Sequence, residues 1–335
     1  MTPTPAAYPK FIDSPHSEYM NTPPVMKIDS IVVFCWPGDF RLARICLASV
    51  RYFYPNVPLY LMKNIAKGDF DTTEVERRFN VSSLGLTQPY GSSLGKLELF
   101  FQPQLGRFLF IDADQIMAGP VLQVLEQNSE QFVVVPEIVD EKASTIDKIY
   151  YNRRNLARFD PDFIVPKFHF NSGQFVGTAG VLSRDDFSGM VEWGRPLKGR
   201  NKDTFVFGDQ SILNYVFPKL AAQGRITLGY CDFMELARTE YFWSVPLDTI
   251  RRRKGRPTLL HWAGIHRSFL FLMRRSELLR FFEKFHYAGV RYGAVIRRWR
   301  SIKAIPRNTY LWLYYLAGML KRRLAFRTPS RTGIA

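Results

Sequence analysis

The sequence predicts an α/β protein with a Rossmann-like, mainly parallel sheet and helices on both faces. Three observations carry this. Short runs rich in β-branched and aromatic residues alternate with stretches of helical apolar spacing; 46% hydrophobic and 15% aromatic content in 335 residues suffices for a large core; and a carboxylate pair appears where one apolar run ends. Ile31 to Phe34 reads as the first strand, Arg41 to Phe53 as a helix stopped before Pro55, and Leu59 to Met62 as the second strand. A polar helix near Thr72 to Phe79, a helix from Leu94 to Phe101, a strand Phe108 to Ile111, a helix from Val121 and a strand Phe132 to Val135 continue the pattern. Beyond it, Phe170 to Phe175 and Gly180 to Leu182 are expected as strands, Asp185 to Trp193 and Asp209 to Phe217 as helices. Met1 to about Lys27, with prolines at 3, 5, 9, 15, 23 and 24, is expected to be a flexible leader.

Composition narrows the function. The apolar content excludes intrinsic disorder of the whole. Cys35, Cys46 and Cys231 are odd in number and scattered, which excludes a disulfide scaffold and a zinc ribbon and suits a reducing compartment. The first residues hold no secretory signal pattern, so a cytoplasmic location is expected. The net charge of +16 invites a nucleic-acid reading until it is located: from Arg267 to Arg331 there are sixteen Lys/Arg against Glu277 and Glu283, which leaves the preceding body near neutrality. No nucleic-acid-binding motif accompanies this charge, so nucleic acid is not an expected partner. Within the basic tail lies an apolar run, Thr309 to Leu320, bracketed by Arg307 and by Lys321, Arg322 and Arg323. Twelve residues fall short of the roughly 20 that span a bilayer. The pairing of aromatic and leucine bulk with basic clusters suits a helix lying on an anionic membrane. The alternative is a C-terminal helix docked on the body with a solvated basic face.

The most informative stretch is Arg107-Phe-Leu-Phe-Ile-Asp112-Ala-Asp114. Ligands of open parallel sheets sit at the carboxyl ends of strands, and a carboxylate pair there draws a divalent cation. Thr258-Leu-Leu-His261-Trp-Ala-Gly264-Ile-His-Arg267 adds an imidazole able to complete such a site and shift it from Mg²⁺ toward Mn²⁺, then a glycine and a cation suited to phosphate. Phe170-Asn171-Ser-Gly precedes a strand, and Gly208-Asp209-Gln210 opens a helix, where Asp209 would otherwise serve as an N-cap.

In this order, over about Ile28 to Arg267, these segments resemble the GT-A fold of nucleotide-sugar glycosyltransferases, most of all glycosyltransferase family 8. The resemblance implies that Asp112, Asp114 and His261 hold Mn²⁺ (or Mg²⁺) bridging the donor diphosphate. It implies donor contacts from Lys96, Asn171, Gly264 and Arg267, the last standing where the family has lysine, and from Asp39 in the loop Cys35-Trp-Pro-Gly-Asp39-Phe40. Asp209 and Gln210 would meet the transferred sugar, and transfer would proceed with retention of configuration. The expected domains are the leader 1–27, a GT-A domain 28–267 and a basic helical tail 268–335. Expected partners are a nucleotide-diphosphate sugar, a glycan or lipid-linked acceptor, and an anionic membrane surface that would hold the protein at the inner face of the membrane.

Three alternatives compete. Gly91-Ser-Ser-Leu-Gly95-Lys96 lacks the spacing and the hydroxyl of a Walker loop. Hydrophobic-Asp-x-Asp also opens the site of haloacid-dehalogenase-like phosphatases, with Asp112 as nucleophile, but there it ordinarily occupies a first strand. A GT-A-like protein that binds without catalysis would carry the same pattern with no turnover.

Overall fold

The computed structural model describes residues 26–65, 68–84, 93–137, 143–194, 197–264 and 269–325. Nearly all of the expected leader, and Arg267, lie outside them. Apart from two-residue pairings, the strands are β1 (Ser30–Cys35), β2 (Leu59–Lys63), β3 (Ser82–Leu84), β4 (Arg107–Asp112), β5 (Gln115–Met117), β6 (Phe132–Val134), β7 (Gln174–Thr178), β8 (Leu228–Tyr230), β9 (Met234–Leu236) and β10 (Leu259–His261). The helices that frame the sheet and its edge are α1 (Phe40–Phe53), α2 (Thr73–Phe79), α3 (Asp209–Ala222), α4 (Ser276–Ala288), α5 (Gly293–Lys303) and α6 (Ile305–Ala325).

Seven strands form the central sheet in the order β8-β6-β7-β4-β1-β2-β3. β7 runs antiparallel to both neighbours, and the remaining pairs are parallel. β1 and β4 lie inside the sheet with both faces covered, which is why each reads as an unbroken apolar run. Their side chains alternate between two cores. Ile31, Val33, Cys35, Leu109 and Ile111 join α1 and α4 on one side. Val32, Phe34, Phe108 and Phe110 face the other, among Phe100, Phe132, Phe175 and Phe217. Phe110 stacks on Phe175 at 5.0 Å between centroids. A buried Phe in such a cluster contributes about 3–5 kcal/mol relative to alanine.

Several expected elements differ. Gly180 to Leu182 is a turn and bend rather than a strand, with Gly180 at φ +80°. The expected helix Asp185 to Trp193 shrinks to a 3₁₀ turn at Arg184–Phe187, opened by a Ser183–Asp186 capping box and followed by Gly189 at φ +76°. The segment Ser93–Phe101 is 3₁₀ rather than α, and the helix from Val121 is one turn, Leu122–Leu125. Phe170 to Phe175 breaks at Asn171–Gly173 into a two-residue strand and β7, and that break builds the site. α3 runs on through Pro218 to Ala222, past the expected end at Phe217.

The expected boundary at 267 does not coincide with a break in packing. Leu270, Met273, Leu278, Leu279 and Phe282 belong to the core beneath α1, and Glu283 of α4 pairs with Arg41 of α1 at 2.9 Å. α5 is tied to α2 by Arg300 and Glu74 at 2.6 Å. Among the described residues no helix is long and apolar enough to cross a membrane.

Candidate active site

β1 and β4 pair in parallel with Phe34 opposite Asp112, so the loop after β1 and the carboxylates after β4 leave the sheet at one edge. The chain then turns at Ala113–Asp114 into β5, which pairs with β10 so that Gln115 faces His261. This pairing carries His261 from the far end of the fold to Asp114. The imidazole Nε2 lies 3.4 Å from Asp114 Oδ1, and Trp262 N–H donates to the Asp114 carbonyl at 3.0 Å. One ligand atom from each of Asp112, Asp114 and His261 lies within 4.8 Å of the others.

The turn Asn171–Gly173 closes the site from the side. Gly173 carbonyl accepts from Asp112 N–H at 2.8 Å and from Gln115 Nε2 at 2.6 Å, while Asn171 Oδ1 accepts from Gly173 N–H at 2.8 Å. A Cβ on Gly173 would lie 2.6 Å from His261 Cε1 and 3.0 Å from Asp112 Oδ2, so only glycine admits this approach. Gly208, at φ +60°, turns the chain into α3, which makes Asp209 the first helical residue rather than the cap.

Lys96 sits at the centre of the charge pattern. Its Nζ is 3.1 Å from Asp112 and 3.1 Å from Asp209, against the rings of Phe110 and Phe34 at 5.1 and 5.7 Å from their centroids. It is 4% exposed and serves both carboxylates. Burial alone would lower its pKa, but Asp112 and Asp209 outweigh that and hold it protonated. Burial pushes the Asp112 carboxyl up to about 6 against the pull of Lys96, and Asp114 adds to the rise. Asp209 is held below the ordinary carboxylate range: burial opposes this, but Lys96 and hydrogen bonds from Ser93 and Ser172, the latter at 2.7 Å, prevail.

Gln210 is pinned by backbone, its Oε1 accepting from Ser172 N–H at 3.4 Å and its Nε2 donating to Ile149 carbonyl at 3.0 Å. Asp39, also buried, follows β1 and accepts from Trp36 Nε1 at 2.5 Å. Gly264 adopts φ +67° just after β10, with open space where a Cβ would stand. Sequence reasoning missed Ser172, Gly173 and Gln115. Ser172 and Gly173 stood inside the quoted Phe-Asn-Ser-Gly segment, whereas nothing in the sequence marks Gln115.

The donor set and its surroundings fit a divalent cation. Two carboxylates and an imidazole supply oxygen and nitrogen ligands, and Gly173 leaves the approach open. Among the described residues, three carboxylates stand near one ammonium, a negative balance that a cation would offset.

The sheet order and the edge it forms make a mixed α/β scaffold, and the chain has the GT-A fold. It is similar to the bifunctional glycosyltransferase WbbM over 78% of this chain and 50% of WbbM, with 13% identity and a TM-score of 0.50. The chain therefore spans about half the length of WbbM. Similar structures also include the galactosyltransferase LgtC in complex with donor and acceptor sugar analogs, at 15% identity, 77% of this chain, 95% of LgtC and a TM-score of 0.49. A third is the glycosyltransferase GlyE of Streptococcus pneumoniae TIGR4, at 13% identity, 83% of this chain, 64% of GlyE and a TM-score of 0.46. Neither a protein-family model nor a curated protein matches the chain.

Proposed function

We propose that this protein is a metal-dependent glycosyltransferase that moves a sugar from a nucleotide-diphosphate sugar to a glycan or lipid-linked acceptor, with retention of configuration as the resemblance to family 8 implies. The observation that carries the reading is the convergence of Asp112, Asp114 and His261 from three parts of the chain, joined through Lys96 to Asp209. Those three residues would hold the cation, with Mn²⁺ favoured over Mg²⁺ by the imidazole. A cation so held supplies positive charge against the diphosphate leaving group. Lys96 fixes the Asp209 carboxylate and keeps it ionised, so that it supports positive character at the anomeric carbon. Gln210 beside it bounds the sugar position, and Asn171 shapes the turn that carries Gly173. Asp39, Gly264 and Arg267 complete the donor side in this reading. The test is donor hydrolysis with and without Mn²⁺, together with a melting screen of nucleoside diphosphates plus Mn²⁺. A ligand at 100 times its dissociation constant stabilises by about 2.7 kcal/mol. No shift with any of them and no hydrolysis would leave a binding fold without this chemistry.

The tail belongs to the same proposal. α6 carries Tyr310, Trp312, Leu313, Tyr314 and Leu320 exposed, and α5 adds Val295, Trp299 and Ile302. Apolar groups on this scale beside basic clusters favour an anionic membrane surface over a helix docked face-down on the body. In this reading the protein works at the inner face of the membrane on an acceptor presented there.

A further inference from the structure

We infer that Arg307 is a positioning residue for the donor loop Trp36–Asp39, so that the first turn of the C-terminal helix sets donor affinity; this rests on the donor site proposed above. The loop follows β1 directly and shares the sheet edge with Asp112. Within it, Trp36 Nε1 donates to Asp39, Asp39 N–H donates to the Trp36 carbonyl at 2.9 Å, and the Trp36 ring covers Gly38 so closely that a Cβ there would lie 2.2 Å from it. From the other end of the chain, Arg307 Nη2 donates to the Gly38 carbonyl at 3.0 Å. A cavity of about 80 Å³ lies beside this contact, between Asp39 and Arg41 on one side and Leu270, Met273 and Asn308 on the other. Asn308, in this first turn, is 8% exposed, whereas Tyr310, Leu313 and Tyr314 in the following turns are exposed. Arg41, two residues after the loop, is held separately by Glu283 at 2.9 Å. With the helix start fixed there, Arg307 adds a tie to the loop ahead of it from the far end of the chain.

A loop that spends only part of its time in the binding geometry weakens apparent affinity by that fraction. Arg307 touches neither the carboxylates nor His261, so its loss acts on donor capture and not on the chemical step. Donor KM, kcat and the dissociation constants of uridine, guanosine, adenosine and cytidine diphosphates with Mn²⁺ are to be measured for the full-length protein and for Arg307→Ala, Arg307→Lys and Arg298→Ala. The last removes the same charge from α5. Arg307→Ala should raise KM and the dissociation constant of the diphosphate that binds by about three- to tenfold, with kcat within about twofold. Arg307→Lys should recover part of the loss, and Arg298→Ala should match wild type. Wild-type affinity and KM in Arg307→Ala would overturn the positioning role while leaving the donor site standing. An equal loss in Arg298→Ala would overturn it too, by assigning the effect to bulk charge. If wild type binds none of the four diphosphates, the donor site itself is wrong and the role of Arg307 falls with it.

Discussion

Two charge clusters, a buried one at the sheet edge and a half-buried one behind α1, each combine carboxylate, cation and histidine and have opposite balances among the described residues. At the edge, Lys96 pairs with Asp112 and Asp209, and Asp114 and His261 stand beside Asp112. Behind α1, one carboxylate, Glu74, takes Arg300 at 2.6 Å, His286 at 2.7 Å and Arg44 at 3.5 Å. Each cluster contains a histidine whose Nδ1 is buried with no hydrogen-bond partner among the described residues, so that atom does not separate a site from a clamp. The charge count does. Among the described residues the edge has an excess of carboxylates, which under the proposed function a cation from outside offsets, whereas an excess of guanidinium around one carboxylate is complete and ties α2, α4 and α5 together.

The largest difference should appear in activity. Asp112→Asn and Asp114→Asn should each lower transfer by about a hundredfold to a thousandfold, the scale of losing one well-placed electrostatic group. EDTA should do the same reversibly. Glu74→Gln should leave turnover per folded molecule near wild type. Rates measured with Mn²⁺ add-back decide it, and wild-type activity persisting in EDTA would show that the edge cluster needs no metal.

Stability should separate the clusters next. Lys96→Met leaves Asp112 and Asp209 buried with no counter-ion, which costs about 3–5 kcal/mol. Arg300→Met removes a cation whose side chain is 38% exposed, from a cluster that keeps another, so about 1 kcal/mol or less is expected. Urea unfolding of the two variants in metal-free buffer is the comparison, and equal losses would mean that charge balance does not distinguish the clusters.

This contrast also explains what was legible in the sequence. The strand ending at Asp112 and the segments around His261 and Asp209 announce themselves locally, because an apolar run followed by polar groups is a strand reaching its edge. Lys96 could be placed near the proposed donor site, but its two carboxylate partners follow from tertiary packing. The Glu74 cluster joins residues more than 200 positions apart and carried no signal. Nor did the docking of α4: its basic surroundings masked an apolar stripe of Leu278, Leu279 and Phe282, which led to a boundary at 267 that the packing does not show. The turn at Asn171–Gly173 read as continuous strand because Phe170 and Phe175 flank it.

Acid titration should give a smaller, signed difference. The Glu74 carboxyl is held well below its ordinary range: burial opposes this, but hydrogen bonds from His286 and Arg300 prevail. Its contribution to stability is therefore present above the unfolded carboxylate value, about 4.3, and is lost as pH falls below it. Asp112, raised to about 6, has the opposite sign, since the folded chain takes up its proton first. In metal-free protein the Asp112 contribution should hold or raise the melting temperature from pH 7 to 5, and the Glu74 contribution should lower it steeply below pH 4.5. Arg300→Met should make the acid limb shallower. A melting curve whose acid limb is unchanged in that variant would remove Glu74 from the account.

The smallest catalytic effect is expected at the tail, where the cut must be placed by structure. Deletion from residue 297 would strip Arg300 from Glu74 and Arg307 from Gly38, and so would disturb the body and the donor loop together. Ending the chain after Asn308 keeps both ties and removes the exposed Tyr310, Trp312, Leu313, Tyr314 and Leu320. On an anionic surface the basic clusters attract first and the aromatic-leucine face then inserts, so binding should weaken as salt shortens the Debye length from about 10 Å at 0.1 M to 3 Å at 1 M. Full-length protein should therefore sediment with anionic liposomes at low salt, and the shortened chain should stay in the supernatant. Donor hydrolysis should remain within about twofold of wild type, because Arg307 still holds the loop and a loop so held binds donor as before. Equal sedimentation of the two proteins, or of neither, would show that the apolar run of α6 does not meet the membrane.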